Sequence, residues 1–198
     1  MQATIHHINI MYQIKEATKP YHDKIEQNTL TKSVADGTIT KEDYIRLLCK
    51  FYGFYQQSEL MLAQSKLWST YQFDIAQREK TPLLLQDLSF FGYDVSQIAL
   101  CQDMPHLDTD SQKLGYLYVV EGSTLGGQYL SRVLEKQFGF VTNQGASYFN
   151  SYGTANIGSM WKNFMEVLVK ATQDHLVSEQ EVINTSILTF QKLDTWLG

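Results

Sequence analysis

The sequence predicts a single all-α domain built as a multi-helix bundle, and three observations lead to that class. Apolar residues recur at helical rather than alternating spacing along most of the 198 residues. Capping and stop residues bracket those periodic stretches. No pair of alternating apolar runs joined by a turn dipeptide reads as a β-hairpin. One domain, 1–198, suits this length and leaves enough chain to bury a full core.

The elements follow in order. Residues 1–8, with His6 and His7, are expected to fray. A first helix should run from about Asn9 to Asn28. Within it Pro20 cannot donate to the carbonyl of Glu16, so the segment should kink there or start afresh with Thr18 as its cap. A short helix over Leu30–Ala35 should end at Gly37. Thr40 suits the N-cap of a long helix reaching about Lys66, with Ile45, Leu48, Tyr52, Tyr55, Glu59 and Leu62 on one face. Thr81-Pro82 opens the next helix and Gly92 stops it. A long helix from about Ser111 to Phe138 closes on Gly139. The aromatic, Gly-rich stretch from Gly145 to Gly158 reads as a loop. A further helix covers about Ile157 to Gln173. The last opens at the capping box Ser178-Glu179-Gln180-Glu181 and ends near Leu197.

Bulk chemistry excludes several function classes. A net charge of −5 argues against a general nucleic-acid or polyanion surface. No apolar run approaches the roughly 18 residues of a membrane span. Met1 to Met11 has neither a basic region nor a long apolar one, so no signal peptide is expected. Cys49 and Cys101 lack metal-like spacing, and Cys49 reads as an inert thiol in an apolar helical run. A reducing cytoplasm is the simplest home.

Two stretches carry chemistry. Lys15, Lys19, His22 and Glu26, at i, i+4, i+7 and i+11, fall within roughly 60° on a helix. Two cations, an imidazole and a carboxylate on one stripe suit a flat ligand with a central metal and acidic groups at its rim. The alternative is an ordinary solvated face with a surface His–Glu pair. The second stretch runs from Leu114 to Gln128. Gly122, Gly126 and Gly127 lie inside a strong helical pattern, where each costs about 0.8–1.0 kcal/mol against Ala. Gly115, Val119, Gly122 and Gly126 share one side, flanked by Tyr116, Ser123 and Gly127. Such a bare strip serves either close helix–helix packing or the close approach of a flat ligand.

With these residues in view, the sequence resembles the heme oxygenases, especially the bacterial, biliverdin-producing type. Ile14-Lys15-Glu16-Ala17-Thr18-Lys19-Pro20-Tyr21-His22-Asp23-Lys24-Ile25-Glu26 is similar to the family's proximal helix. Glu121-Gly122-Ser123-Thr124-Leu125-Gly126-Gly127-Gln128 is similar to its kinked, glycine-rich distal helix. The Phe149–Phe164 stretch and Thr189-Phe190-Gln191-Lys192-Leu193 fit less specifically. The resemblance implies heme b held between these two helices as both substrate and cofactor, with His22 as the iron ligand and Glu26 steadying its ring. Lys15 and Lys19 would pair with propionates, with Tyr116 and Lys162 as further candidates. Thr18, Val119, Gly127 and Phe190 would contribute to the heme pocket. Gly122, Ser123 and Gly126 would form the catalytic distal face. The implied reaction consumes O2 and electrons from a reductase or ferredoxin and yields biliverdin, carbon monoxide and ferrous iron. The implied partners are an electron-donor protein and a bilin-accepting protein.

One departure stands out. Many relatives carry Asp one residue after the first distal glycine, where this chain has Ser123. A hydroxyl can donate and accept a water bond but is no carboxylate base near neutral pH. The departure leaves open a carrier or sensor that holds heme without cleaving it. A di-iron protein is disfavoured, since none of the five histidines follows Glu by three residues. A thiamine-salvage hydrolase lacks a cysteine near a convincing base.

Overall fold

A computed structural model describes residues 2–198, and the side chains of residues 10–198. Among the described residues it holds eight α-helices and two 3₁₀ turns: α1 Gln2–Glu26, α2 Thr29–Ala35, α3 Lys41–Leu62, α4 Leu67–Thr70, α5 Thr81–Phe90, α6 Asp110–Phe138, α7 Gly153–Gln173 and α8 Glu179–Leu197, with turns at Ala76–Arg78 and Val95–Gln97. The side chains of His6 and His7 lie outside the described residues, while the backbone of 2–8, expected to fray ahead of a helix from Asn9, is part of α1.

Local chemistry sets most boundaries. Thr40 accepts from the Asp43 N–H at the start of α3. Gly139 closes α6 at φ +75°, a left-handed cap that glycine adopts without strain. Thr109 and Gln112 form a complete capping box at the start of α6. At α8 only half of the expected box forms. Ser178 accepts from Glu181, but its own N–H goes to Ser111 Oγ at 2.9 Å, tying α8 to the start of α6.

Three expectations are corrected. Pro20 neither ends α1 nor starts a helix at Thr18. The Thr18 hydroxyl instead donates to the Ile14 carbonyl at 2.7 Å, back along the same helix. Helix α3 stops at Leu62, short of Lys66, and the separate turn α4 follows. Helix α7 begins at Gly153, so the aromatic loop is shorter than its composition suggests.

Helix α8 packs along both α6 and α1, α7 covers α6 and α1, and α3 pairs with α5. Gly115 explains how α6 and α8 approach so closely. A Cβ there would lie 2.4 Å from the Val182 carbonyl oxygen, while Ser186 Oγ donates to the Gly115 carbonyl at 2.9 Å. Gly115 therefore belongs to helix packing and not to the bare strip it was grouped with. Around this spine the core is rich in aromatics: Tyr44, Phe54, Tyr55, Tyr116 and Phe164 are fully buried.

Candidate functional site

A cavity of about 300 Å³ lies between the C-terminal half of α1 and the glycine-rich part of α6. That lies at the lower end of the range of cofactor-sized cavities, about 300–1,000 Å³. Its wall is largely apolar, with Val34, Leu47, Phe51, Leu130, Phe149 and Leu193 contributed by five parts of the chain.

On one side stand His22 and Glu26. Their side chains are 53% and 61% exposed, so the imidazole is open at the cavity edge and not sealed in the core. The separation from His22 Nδ1 to Glu26 Oε1 is 3.7 Å, an ion-pair distance beyond hydrogen bonding. The expected ring-holding bond from Glu26 is therefore not made here, because both groups are free to face solvent. The ring edge instead meets Phe190, with centroids 5.9 Å apart at 76°. His22, Asp23 and Glu26 also bring ligand atoms within 4.8 Å of one another, all on exposed side chains.

Opposite them lies α6, where the glycines divide their labour. A Cβ on Gly126 would meet nothing within 4 Å, and one on Gly122 only the Trp161 ring at 3.7 Å. These two leave bare backbone at the cavity wall, beside Val119 and Ser123. Gly127 serves packing as well, since a Cβ there would come 2.5 Å from the Phe149 carbonyl oxygen. The glycines thus differ: Gly127 packs against the chain, while Gly122 and Gly126 leave the cavity wall bare.

Ser123 donates to the Val120 carbonyl at 2.7 Å and neighbours the phenols of Tyr55 and Tyr148. Those two hydroxyls meet at 3.0 Å within the wall. Burial pushes Tyr55 up to about 12 and Tyr148 well above its ordinary value, so both remain protonated donors. Asp87, fully buried, holds the loop that carries Tyr148 by accepting the Ser147 and Tyr148 N–H groups, each at 2.8 Å.

Behind Gly122 lies a buried ionic cluster. Glu121, fully buried, pairs with Arg78, accepts the Tyr152 hydroxyl at 2.6 Å and lies 3.4 Å from Lys80 Nζ. Lys80 is also part of the cavity wall. Burial pulls its ammonium below the usual value, against the opposing influence of Glu121. Nothing in the sequence signals this cluster: Lys80 before Thr81-Pro82 looks like an ordinary solvated cation.

Several expected contacts fall elsewhere. Tyr116 is buried on another face of α6, its hydroxyl 2.6 Å from Ser58 Oγ, so it cannot meet a propionate at the cavity rim. Lys162 is 77% exposed and paired with Glu166 at 3.9 Å, away from the wall. Thr18 is buried behind Tyr118, which takes the place in the wall. Lys15 and Lys19 lie in solvent on α1, Lys19 bonded to Asp23 at 2.6 Å. Both stand outside the wall itself.

Comparison with known proteins agrees with this geometry. Two solved structures share the fold at sequence identities too low to carry more: heme oxygenase-1 from the cyanobacterium Synechocystis in complex with heme, and the heme oxygenase from Leptospira interrogans. The first has a TM-score of 0.74 at 17% identity, covering 96% of this chain and 90% of its own. The second has a TM-score of 0.77 at 19% identity, covering 95% and 98%. A heme oxygenase from Xanthomonas campestris pv. campestris is 26% identical over 148 residues, 73% of this chain and 82% of that protein. The heme oxygenase family model matches residues 8–197, taking in the imidazole helix and the glycine strip that face each other across the cavity. The chain therefore belongs to the heme oxygenase family.

Proposed function

We propose that this protein cleaves heme oxidatively to biliverdin, carbon monoxide and ferrous iron, using O2 and electrons from an external reductase or ferredoxin. The observation that carries the reading is the cavity that sets His22 on α1 against the bare backbone of Gly122 and Gly126 on α6. An aromatic macrocycle needs apolar walls on both faces and no Cβ at the closest approach, and this cavity offers both.

Bound heme would supply the redox-active iron and the ring that is oxidised. The chain's own residues bind and orient it. His22 would offer a ring nitrogen to the iron from an edge already open to solvent. Phe190 limits rotation of that ring. Lys15 and Lys19, seven and three residues before His22 on the same helix, are free to meet carboxylates protruding from the cavity. On the opposite side Ser123, Tyr55 and Tyr148 form a patch of hydroxyls that can order water and hand protons inward without ionising. The remaining wall keeps bulk water from the ring. Both cysteines are free thiols, in keeping with a reducing cytoplasm.

The test is hemin titration followed by reduction in air. A stoichiometric Soret complex that bleaches to a bilin with release of carbon monoxide is expected. A complex whose iron merely cycles between oxidation states would make the protein a carrier. His22→Ala should lose the axial-ligand spectrum, and unchanged hemin affinity in that variant would overturn the assignment.

A further inference from the structure

The cavity wall contains one ammonium, Lys80, which no motif marks and which the family pattern described above does not use. Its side chain is 2% exposed. Among the described residues the only other ionisable members of the wall, phenols aside, are His22 and Glu26 on the opposite helix. A buried cation is tolerated only when partnered, and Lys80 is incompletely so. Its Nζ donates to the Tyr152 hydroxyl at 2.6 Å and toward Glu121 Oε1 at 3.4 Å, and lies 4.1 Å from the centre of the Tyr152 ring. An ammonium has three donors, and among the described residues two hydrogen-bond acceptors lie within reach.

Two carboxylates, Glu121 and Glu59, face the two cations Arg78 and Lys80 in this corner. Arg78 and Lys80 share the single buried carboxylate of Glu121. Glu59 lies nearby but accepts the backbone N–H groups of Lys80 and Thr81, at 2.5 and 3.1 Å, and so caps the start of α5. Lys80 thus brings an ammonium to the wall of a largely apolar cavity, on the side of Gly122.

We propose that Lys80 is the distal cation of this site, giving a hydrogen bond and a fixed positive charge to a small anionic or electron-rich ligand held in the cavity. Ser123, a neutral hydroxyl that donates to the Val120 carbonyl, supplies no such charge. The inference rests on the heme reading, and azide on the ferric hemin complex is the probe. Lys80→Met should still take up hemin, because Glu121 keeps Arg78 as its partner. Azide affinity should fall about tenfold, the loss of one charge-assisted hydrogen bond. The C–O stretch of the ferrous carbon monoxide complex should rise, as expected when positive charge is removed. Lys80→Arg should retain both properties. Tyr152→Phe, which removes a competing acceptor outside the wall, should raise azide affinity.

Azide affinity and C–O stretch unchanged in Lys80→Met would overturn the proposal and reduce Lys80 to a scaffold residue, seen only in the melting temperature of the unloaded protein. Should Lys80→Met not fold, an unaltered azide affinity in Tyr152→Phe would overturn it instead. Failure of the parent protein to bind hemin would overturn both this proposal and the heme reading, whereas hemin uptake without the azide effect would remove only the first.

Discussion

The hydroxyls of Tyr55 and Tyr148 lie 3.0 Å apart in the cavity wall, joining α3 to the loop before α7. Each phenol is the other's hydrogen-bond partner, and both neighbour Ser123. Tyr148→Phe should therefore destabilise the protein by about 1 kcal/mol, the net value of one hydrogen bond. It should also move the pKa of the water bound to ferric hemin. Urea unfolding reads the first effect and a spectroscopic pH titration the second. A shifted urea midpoint with an unmoved water pKa would confine the pair to structure.

The same burial gives a pH dependence. Tyr55 is held up to about 12, against about 10 in an unfolded chain. Between those values the folded state retains a proton that the unfolded state releases, so stability is complete below about pH 10 and falls as pH rises toward 12. Tyr44, Tyr116 and Tyr148 shift in the same direction for the same reason. Urea midpoints should be level from pH 8 to about 9.5 and then drop, with the phenolate absorbance of the buried tyrosines appearing together with unfolding. A midpoint that stays level to pH 11.5 would contradict the burial.

Gly126 and Gly127 should respond oppositely to alanine. Gly126→Ala meets no neighbour and gains helix propensity, so the unloaded protein should be stabilised by up to about 1 kcal/mol. Gly126 lines the cavity, so if the added methyl turns into it hemin affinity should fall. Gly127→Ala drives a methyl into the Phe149 carbonyl and should lower the melting temperature of the unloaded protein. Thermal melts with and without hemin distinguish the two.

Asp87 should matter although it touches no ligand. Asp87→Asn keeps one acceptor oxygen and turns an amide N–H₂ toward one of the two backbone N–H groups it now accepts. A loss of about 1–3 kcal/mol is expected, with weaker hemin binding through the displaced Tyr148 and Phe149. Stability near that of the parent would mean the loop is held by its aromatics alone.

Lys19→Ala removes an exposed pair with Asp23 and should leave stability essentially unchanged. If the ammonium turns to a propionate, hemin affinity should fall severalfold and the biliverdin isomer ratio should change. An unaltered ratio and affinity would leave Lys19 as surface charge.

The sequence made the site legible wherever local rules and global fold agree. Helical spacing put His22 and Glu26 on one face, and the cost of three glycines inside a helix signalled that bare backbone was wanted there. It failed where a residue's surroundings come from distant segments. Tyr116 looked available beside the glycines, yet Ser58, from another helix, captures its hydroxyl. Lys80 looked solvated until Glu121 and Tyr152 enclosed it.

Periodicity, caps and the two motifs were by themselves enough to determine an all-α bundle and the two helices that line the cavity, because those signals arise within a few residues of chain. Only tertiary packing decided which glycines face the cavity, which cation enters its wall, and which hydroxyls pair. Those outcomes depend on which surfaces are desolvated together, and burial is a property of the assembled helices, absent from any one of them.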